Sequence, residues 1–480
     1  MATRTLDRKV PEINIPAGER IRVEDPFTRV TGAAPVAGNK IALLRDATEN
    51  YPRWLAAIEG ASKRIFFESY IIHDDKQGQI FSEALISKAK QGVDVKLVYD
   101  WMGGLGNTPR RFWRHLRENG VEVRCYNPPN LFDPLAVFSR DHRKTMIVDG
   151  EIAFVSGLCV GQDWVGDPDN NVPPWRDTGV ELRGPAVAEV EAGFADVWQL
   201  MGPPIDPTEL TPAAGIGSAG STEVRVVRSV PGQAHMYRVD QFLAATVTES
   251  IWLTDAYFVG VPSYLQGLKD AAADGVDVRV LVPQSTDITL IRDTTRSTYR
   301  PLLESGIRVF EWGGTMVHAK TAVFDGRYSR VGSTNLNIAS WFGNYEMDVF
   351  IDDEAFAEEM ESMYLSDLAN CTEIVLADTA RSKHRPKPIH PSKKKKGGGS
   401  VRKATAGALN AATSISSAIA KKTPLGPAEA RILFILGIAL LLIALSFLFF
   451  PRLSSIPLIV ILLMLALPTL FKAIKNYRDS

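Results

Sequence analysis

The sequence predicts an α/β protein of two similar halves in a pseudo-twofold arrangement, followed by a carboxy-terminal transmembrane helical hairpin. Three observations predict it. His142-Arg-Lys144-Thr-Met-Ile-Val-Asp149 recurs 176 residues later as His318-Ala-Lys320-Thr-Ala-Val-Phe-Asp325. Gly92-Val-Asp-Val-Lys-Leu-Val recurs as Gly275-Val-Asp-Val-Arg-Val-Leu at an offset of 183. Residues 432–450 run for 19 positions without a charge, long enough to span a bilayer as a helix. Only seven histidines occur in 480 residues, so two of them on one pattern argues for duplication.

Residues 1–40 are polar and Pro-containing, an amino-terminal extension without the apolar core of a signal peptide. Residues 41–202 form the first half. In it a helical stretch at 81–90 ends at Gly92, which opens a β-branched strand. Met102-Gly-Gly-Leu-Gly106 lacks the Lys-Ser/Thr of a phosphate-binding loop and reads as a strand-to-helix turn. Leu116-Arg-Glu-Asn-Gly120-Val-Glu-Val has its echo in Leu302-Leu-Glu-Ser-Gly306-Ile-Arg-Val. His73 reads as a loop or pocket-edge residue, and His115 as an exposed one in a charged helix. Residues 203–221, rich in Pro, Gly, Ala and Thr, read as a linker. Their Gly215-Ile-Gly217-Ser-Ala-Gly220 precedes a strand-like run rather than a helix, so it is not a dinucleotide fingerprint. Residues 222–380 form the second half, with a helical stretch at 264–273 before Gly275. Helices alternating with apolar strands imply buried sheets, and the site belongs between the halves.

The net charge of −1 hides an asymmetry. Residues 381–480 carry 17 Lys and Arg against two acidic residues, which leaves 37 basic and 53 acidic residues in 1–380. An acidic body argues against nucleic-acid binding, whereas the basic tail suits anionic lipid headgroups. Residues 381–427 read as a basic flexible tether, with a weak surface helix at 404–420. Residues 428–480 hold the first apolar run and a second at 456–471, interrupted by Pro468, as a two-span hairpin. Basic residues flank both ends and only Arg452 lies in the turn, so both ends and the body belong on the cytoplasmic side of a membrane. Three scattered cysteines, Cys125, Cys159 and Cys371, make neither a metal spacing nor a disulfide framework and suit a reducing compartment.

A repeated His/Lys pair suits phosphoryl transfer from a diester. One histidine attacks phosphorus and the other protonates the departing alcohol, then deprotonates the incoming water or alcohol. A lysine two residues on in a strand faces the same side as its histidine, so Lys144 and Lys320 can cradle the phosphate oxygens. No metal or other cofactor is required. Asp177 and Glu346 are candidates for holding the histidines in one tautomer. Asp149 and Asp325 each precede a glycine and read as turn residues.

This constellation resembles the phospholipase D superfamily, and within it the bacterial cardiolipin synthase-like branch, over residues 40–370. The motifs continue as Asp149-Gly-Glu-Ile-Ala-Phe-Val-Ser-Gly-Leu-Cys159, then Trp175-Arg-Asp177, and as Gly332-Ser333-Thr-Asn335 with Asn344-Tyr-Glu346. The resemblance implies two phospholipase D-type halves and a catalytic set of His142, Lys144, His318, Lys320 and Asn335. It further implies that Ser333 lines the set, that Asp177 and Glu346 orient the histidines, and that His142 is the nucleophile. Cys159 stands where the family's first motif has an asparagine, and Ser156 where it has a glycine. The expected activity is membrane-anchored phosphatidyl transfer through a phosphohistidine, with a phospholipid substrate and an alcohol acceptor. The alternatives are a phospholipase D that uses water, and a nuclease or other phosphodiesterase. A scaffold with degenerate motifs fits poorly, because both pairs are intact.

Overall fold

A computed structural model describes residues 26–130 and 137–376, with the isolated positions Ile438, Leu441 and Leu445. The first repeat unit supplies β1 (Val36–Arg45), β2 (Arg64–Ser69), β3 (Asp94–Asp100), β4 (Glu122–Tyr126), β5 (Lys144–Val148), β6 (Ile152–Ser156) and β7 (Thr178–Arg183). The second supplies β8 (Thr222–Ser229), β9 (Ser250–Asp255), β10 (Asp277–Pro283), β11 (Arg308–Trp312), β12 (Lys320–Phe324), β13 (Tyr328–Gly332) and β14 (Glu346–Asp352), with β15 (Cys371–Ile374) added outside β11. The spatial orders are β1-β7-β6-β5-β2-β3-β4 and β8-β14-β13-β12-β9-β10-β11, identical strand for strand. In each unit three strands run parallel and the motif strand, β5 or β12, pairs antiparallel to the first of them. The parallel strands need crossovers, which explains the helices Lys76–Lys90 and Pro262–Ala273 over the expected helical stretches. Gly92 and Gly275 follow these helices at φ of +89° and +97° with open space around them. The repeated glycine is there for its left-handed backbone, which ends the helix and turns into the next strand.

The sheets join edge to edge where β1 pairs with β8, and touch face to face at β13 against β6 and β7. A shared core fills the space between them, drawing Val180 and Phe194 from one unit and Val331, Met347 and Met360 from the other. β5, β6 and β12 are buried along their whole length. That explains their unbroken apolar runs: a strand covered on both faces has no need of alternation. Asp149-Gly150 and Asp325-Gly326 have positive φ at both positions and turn β5 into β6 and β12 into β13. The Asp149 carboxylate accepts the N–H groups of Ser62, Lys63 and Arg64, and Asp325 those of Thr248, Glu249 and Ser250. The final aspartate of each motif therefore ties a hairpin to the start of β2 or β9.

Two segments differ from the sequence reading. Residues 26–40, assigned to the extension, are part of the body. The helix Pro26–Thr31 packs Phe27 edge-on against Phe350 at 5.4 Å, and β1 begins at Val36. A six-residue helix is too short to register as periodicity. The stretch 203–221, read as a linker, is an ordered strap. Thr211 N–H donates to Glu191 at 2.6 Å, and Ala219 N–H donates to Gly38 O at 2.8 Å. Its Pro and Gly content encodes short 3-10 turns at Pro207–Glu209 and Ala213–Gly215. No helix among the described residues is long and apolar enough to cross a membrane. The tether at 381–427, its surface helix at 404–420 and the hairpin at 428–480 lie outside the described residues, the three isolated positions apart.

Candidate active site

His142 and His318 stand just ahead of β5 and β12, at the seam between the sheets. The seam is stitched by backbone. His142 N–H donates to Tyr345 O at 2.9 Å, and His318 N–H donates to Arg176 O at 2.6 Å. Tyr345 and Arg176 each precede a buried carboxylate of the opposite half, so the carboxylates are exchanged. His142 Nδ1 lies 2.9 Å from Glu346 Oε2, and His318 Nδ1 lies 2.7 Å from Asp177 Oδ2. Spacing along the chain sets each carboxylate beside the histidine of its own half; the fold pairs it with the other. An Nδ1–H held by a carboxylate leaves Nε2 the basic nitrogen of each ring, and at His318 the Lys320 Nζ reaches that nitrogen at 3.2 Å. Both histidines line one cavity of about 130 Å³.

The two carboxylates are held differently. Ser333 Oγ–H donates to Glu346 Oε2 at 2.6 Å and Asn344 Nδ2–H to Oε1 at 3.1 Å. At the equivalent place in the first half stands Gly157, where an added Cβ would lie 2.2 Å from Asp177 Oδ1. Asp177 instead accepts Trp164 Nε1–H at 2.9 Å and its neighbour's Thr178 N–H at 2.8 Å. Sequence reasoning missed Trp164 and Tyr70, whose ring lies 4.9 Å from His142, and quoted Asn344 in the second motif without giving it a role. The repeat alignment shows the hydroxyl missing at Gly157. It gives no signal for the indole that replaces it, because Trp341, at an offset of 177 on the corresponding short helix, donates to Asp240 instead. Arg143, between His142 and Lys144, was also passed over. Its buried guanidinium donates to the carbonyls of Glu346, Gly193 and Ser229, a staple across the halves. The second motif has Ala319 there.

The lysine ammoniums fold back onto the carbonyls of their own histidines, and Lys320 Nζ lies 3.1 Å from His318 Nδ1. Both lysines are buried. Burial, then the neighbouring Lys144 cation, lowers Lys320 to about 8 against the pull of Asp177. Burial pushes His142 down to about 4, opposed by Glu346; burial and Lys320 push His318 down to about 4, opposed by Asp177. Burial alone would raise Asp177 and Glu346, but the histidine and lysine beside each hold both below their ordinary values. In the cavity, carboxylates of lowered proton affinity thus stand beside imidazoles of lowered proton affinity. An anion entering it supplies the charge that raises a histidine's proton affinity. Asn335 lines the same cavity, and its buried Oδ1 meets no protein donor. Cys159 also lines it, buried and unpaired with another cysteine. Asp149 and Asp325 stand at the far ends of β5 and β12, about 16 Å along the strand from the lysines.

The chain matches the family described as "Cardiolipin synthase, PLD-like domain" over residues 54–163 and 240–368, one segment in each half. It is 32% identical over 357 residues to cardiolipin synthase A of Pseudomonas aeruginosa, covering 73% of this chain and 71% of that one. It is 30% identical over 349 residues to the cardiolipin synthase of Alkalihalophilus pseudofirmus, covering 72% and 69%. Among solved structures, the phosphatidylserine synthase of Haemophilus influenzae superposes with a TM-score of 0.58 at 16% identity. That match covers 73% of this chain and 92% of that one, a likeness of fold.

Proposed function

The chain belongs to the cardiolipin synthase, PLD-like domain family and is an enzyme, and from that premise we propose membrane-anchored phosphatidyl transfer through a phosphohistidine. The observation that carries the reading is the pair of histidines in one cavity, each braced at Nδ1 by the other half's carboxylate. His142 Nε2, with Glu346 holding its Nδ1–H, attacks the phosphorus of a phospholipid. Its bond to phosphorus forms as the bond to the headgroup oxygen breaks. His318, protonated as the anionic diester enters, gives its proton to the departing alkoxide. It then takes the proton of the incoming alcohol, whose oxygen displaces His142 from phosphorus. Lys144, Lys320 and Asn335 stabilise the phosphoryl oxygens as charge builds on them. The chemistry needs two histidines because one group cannot be nucleophile and acid in one step.

In this reading the units at 26–202 and 222–376, joined through 203–221, make the catalytic body. The tether at 381–427 meets anionic headgroups, and the hairpin at 428–480 anchors the body on the cytoplasmic side. The second reading is a phospholipase D, in which water takes the acceptor's place. The deciding experiment incubates the full chain with labelled phosphatidylglycerol, with and without added alcohol. Label in cardiolipin supports transfer and label in phosphatidic acid supports hydrolysis. No product from the lipid, with turnover of a nucleic acid, would overturn both.

A further inference from the structure

The catalytic cavity, about 130 Å³, is small beside a two-chain phospholipid. An acyl chain reaches about 15 Å, half the hydrocarbon thickness of a bilayer. The cavity takes a phosphate and part of a headgroup, and the acyl chains of any phospholipid stay outside its mouth. Exposed apolar side chains stand in the cavity's lining and on the segments that line it. Phe138 lines the cavity yet is 45% exposed. Leu290, 36% exposed, lies between Ile288 and Ile291, which both line it. Phe342, 41% exposed, ends the short helix Ile338–Phe342 whose Ala339 and Ser340 line it. The Phe138 and Phe342 segments meet, since a Cβ on Gly343 would lie 3.3 Å from Phe138 O. Large side chains left in water singly are ordinary, but one in the lining and two on segments that line the same cavity call for an occupant, although the Phe342 ring also leans on Tyr237 at 5.4 Å.

We propose that Phe138, Leu290 and Phe342 form an interfacial rim that seats the mouth of the cavity in the acyl-chain boundary of a lipid bilayer. The inference rests on the phospholipid reading of the site and adds the face that meets the membrane. The rim sinks among the first methylenes, so a headgroup phosphate crosses from the lipid surface to the histidines while its chains remain in the membrane. Aromatic and aliphatic side chains at a polar opening suit that depth. Anchoring and seating are then separate functions: a hairpin holds the body near the bilayer and the rim orients it.

The test uses the full chain in phosphatidylglycerol vesicles. An environment-sensitive fluorophore is placed at Phe342→Cys and, as the control, at Ile80→Cys, an exposed site on the helix Lys76–Lys90, which lends nothing to the cavity. The label at 342 should shift to the blue and be quenched by lipids brominated high in their chains; the label at 80 should not. Equal solvent exposure at both sites overturns the proposal. So does shielding at 342 that occurs in detergent without lipid and grows with protein concentration, which marks contact with a second copy. In parallel, Leu290→Ser with Phe342→Ser should cut turnover of vesicle phospholipid at least tenfold. Turnover of a soluble short-chain diester should stay within about twofold. Equal losses on both substrates, or none, overturn the rim. Quenching at 342 without phosphatidyl transfer sinks the catalytic reading and leaves the rim standing; transfer without quenching does the reverse.

Discussion

His142 and His318 share a burial and a depressed proton affinity, yet the proposed chemistry asks them for opposite protonation states. Substituting either by alanine should abolish turnover, by about 10³-fold or more in kcat, because no second group can supply the missing role. Near wild-type turnover by either variant would refute the paired site. The Asp177 carboxylate raises the His318 affinity against burial and Lys320. Asp177→Asn keeps an acceptor for Nδ1–H and removes the charge, so His318 loses its proton at lower pH. The alkaline limb of kcat, which reports the substrate-bound enzyme, should move down by about one pH unit or more. A loss of rate with an unmoved limb would leave Asp177 a structural brace. A shift of the acidic limb instead would make His318 the nucleophile. His, Lys, Asn and the two carboxylates stand out in the sequence because their chemistry is scarce and repeated. The exchange of partners did not, since it depends on which ends of two strands meet, and linear spacing carries no record of that.

At the scale of the element, the repeat governed what was legible. The Gly-Val-Asp-Val echo located β3 and β10, and the motif echo located β5 and β12. The helix Pro26–Thr31 and the strap at 203–221 have no echo and no period, and their contacts run to residues distant in sequence. The glycines separate two physical causes. Gly275→Ala meets open space and is strained only by its φ of +97°, a cost of about 1–2 kcal/mol. Gly103→Ala would place its Cβ 1.6 Å from Tyr70 O, a backbone atom beside the ring that faces His142. Overpacking of that kind costs about 1–3 kcal/mol and shifts backbone. Gly103→Ala should therefore lower both the denaturation midpoint and activity, and Gly275→Ala the midpoint alone. Equal activity losses would mean that the turn at Met102–Gly104 does not position Tyr70.

For the whole molecule, the charge division along the chain makes the sharpest prediction. The body folds around cores drawn from the described residues, and its last strand, β15, pairs with β11 along Cys371–Ile374. The tether that follows is rich in Lys, Gly, Ser and Pro, a composition that buries little apolar surface. Few packing contacts should cross it, so deleting 428–480 should free the body without unfolding it. The tether alone then attracts anionic lipid by charge, an attraction that weakens as salt shortens the screening length to about 8 Å at 0.15 M. The truncated protein should be soluble, turn over a short-chain soluble diester at the full-length rate, and act poorly on bilayer lipid. Added salt should depress its residual vesicle activity much more than that of the full chain, which the proposed hairpin would hold in hydrocarbon. An aggregated, inactive truncation would show that the hairpin is part of the fold. A soluble truncation with full vesicle activity would show that the rim and tether suffice, and that the two apolar runs serve something other than catalysis.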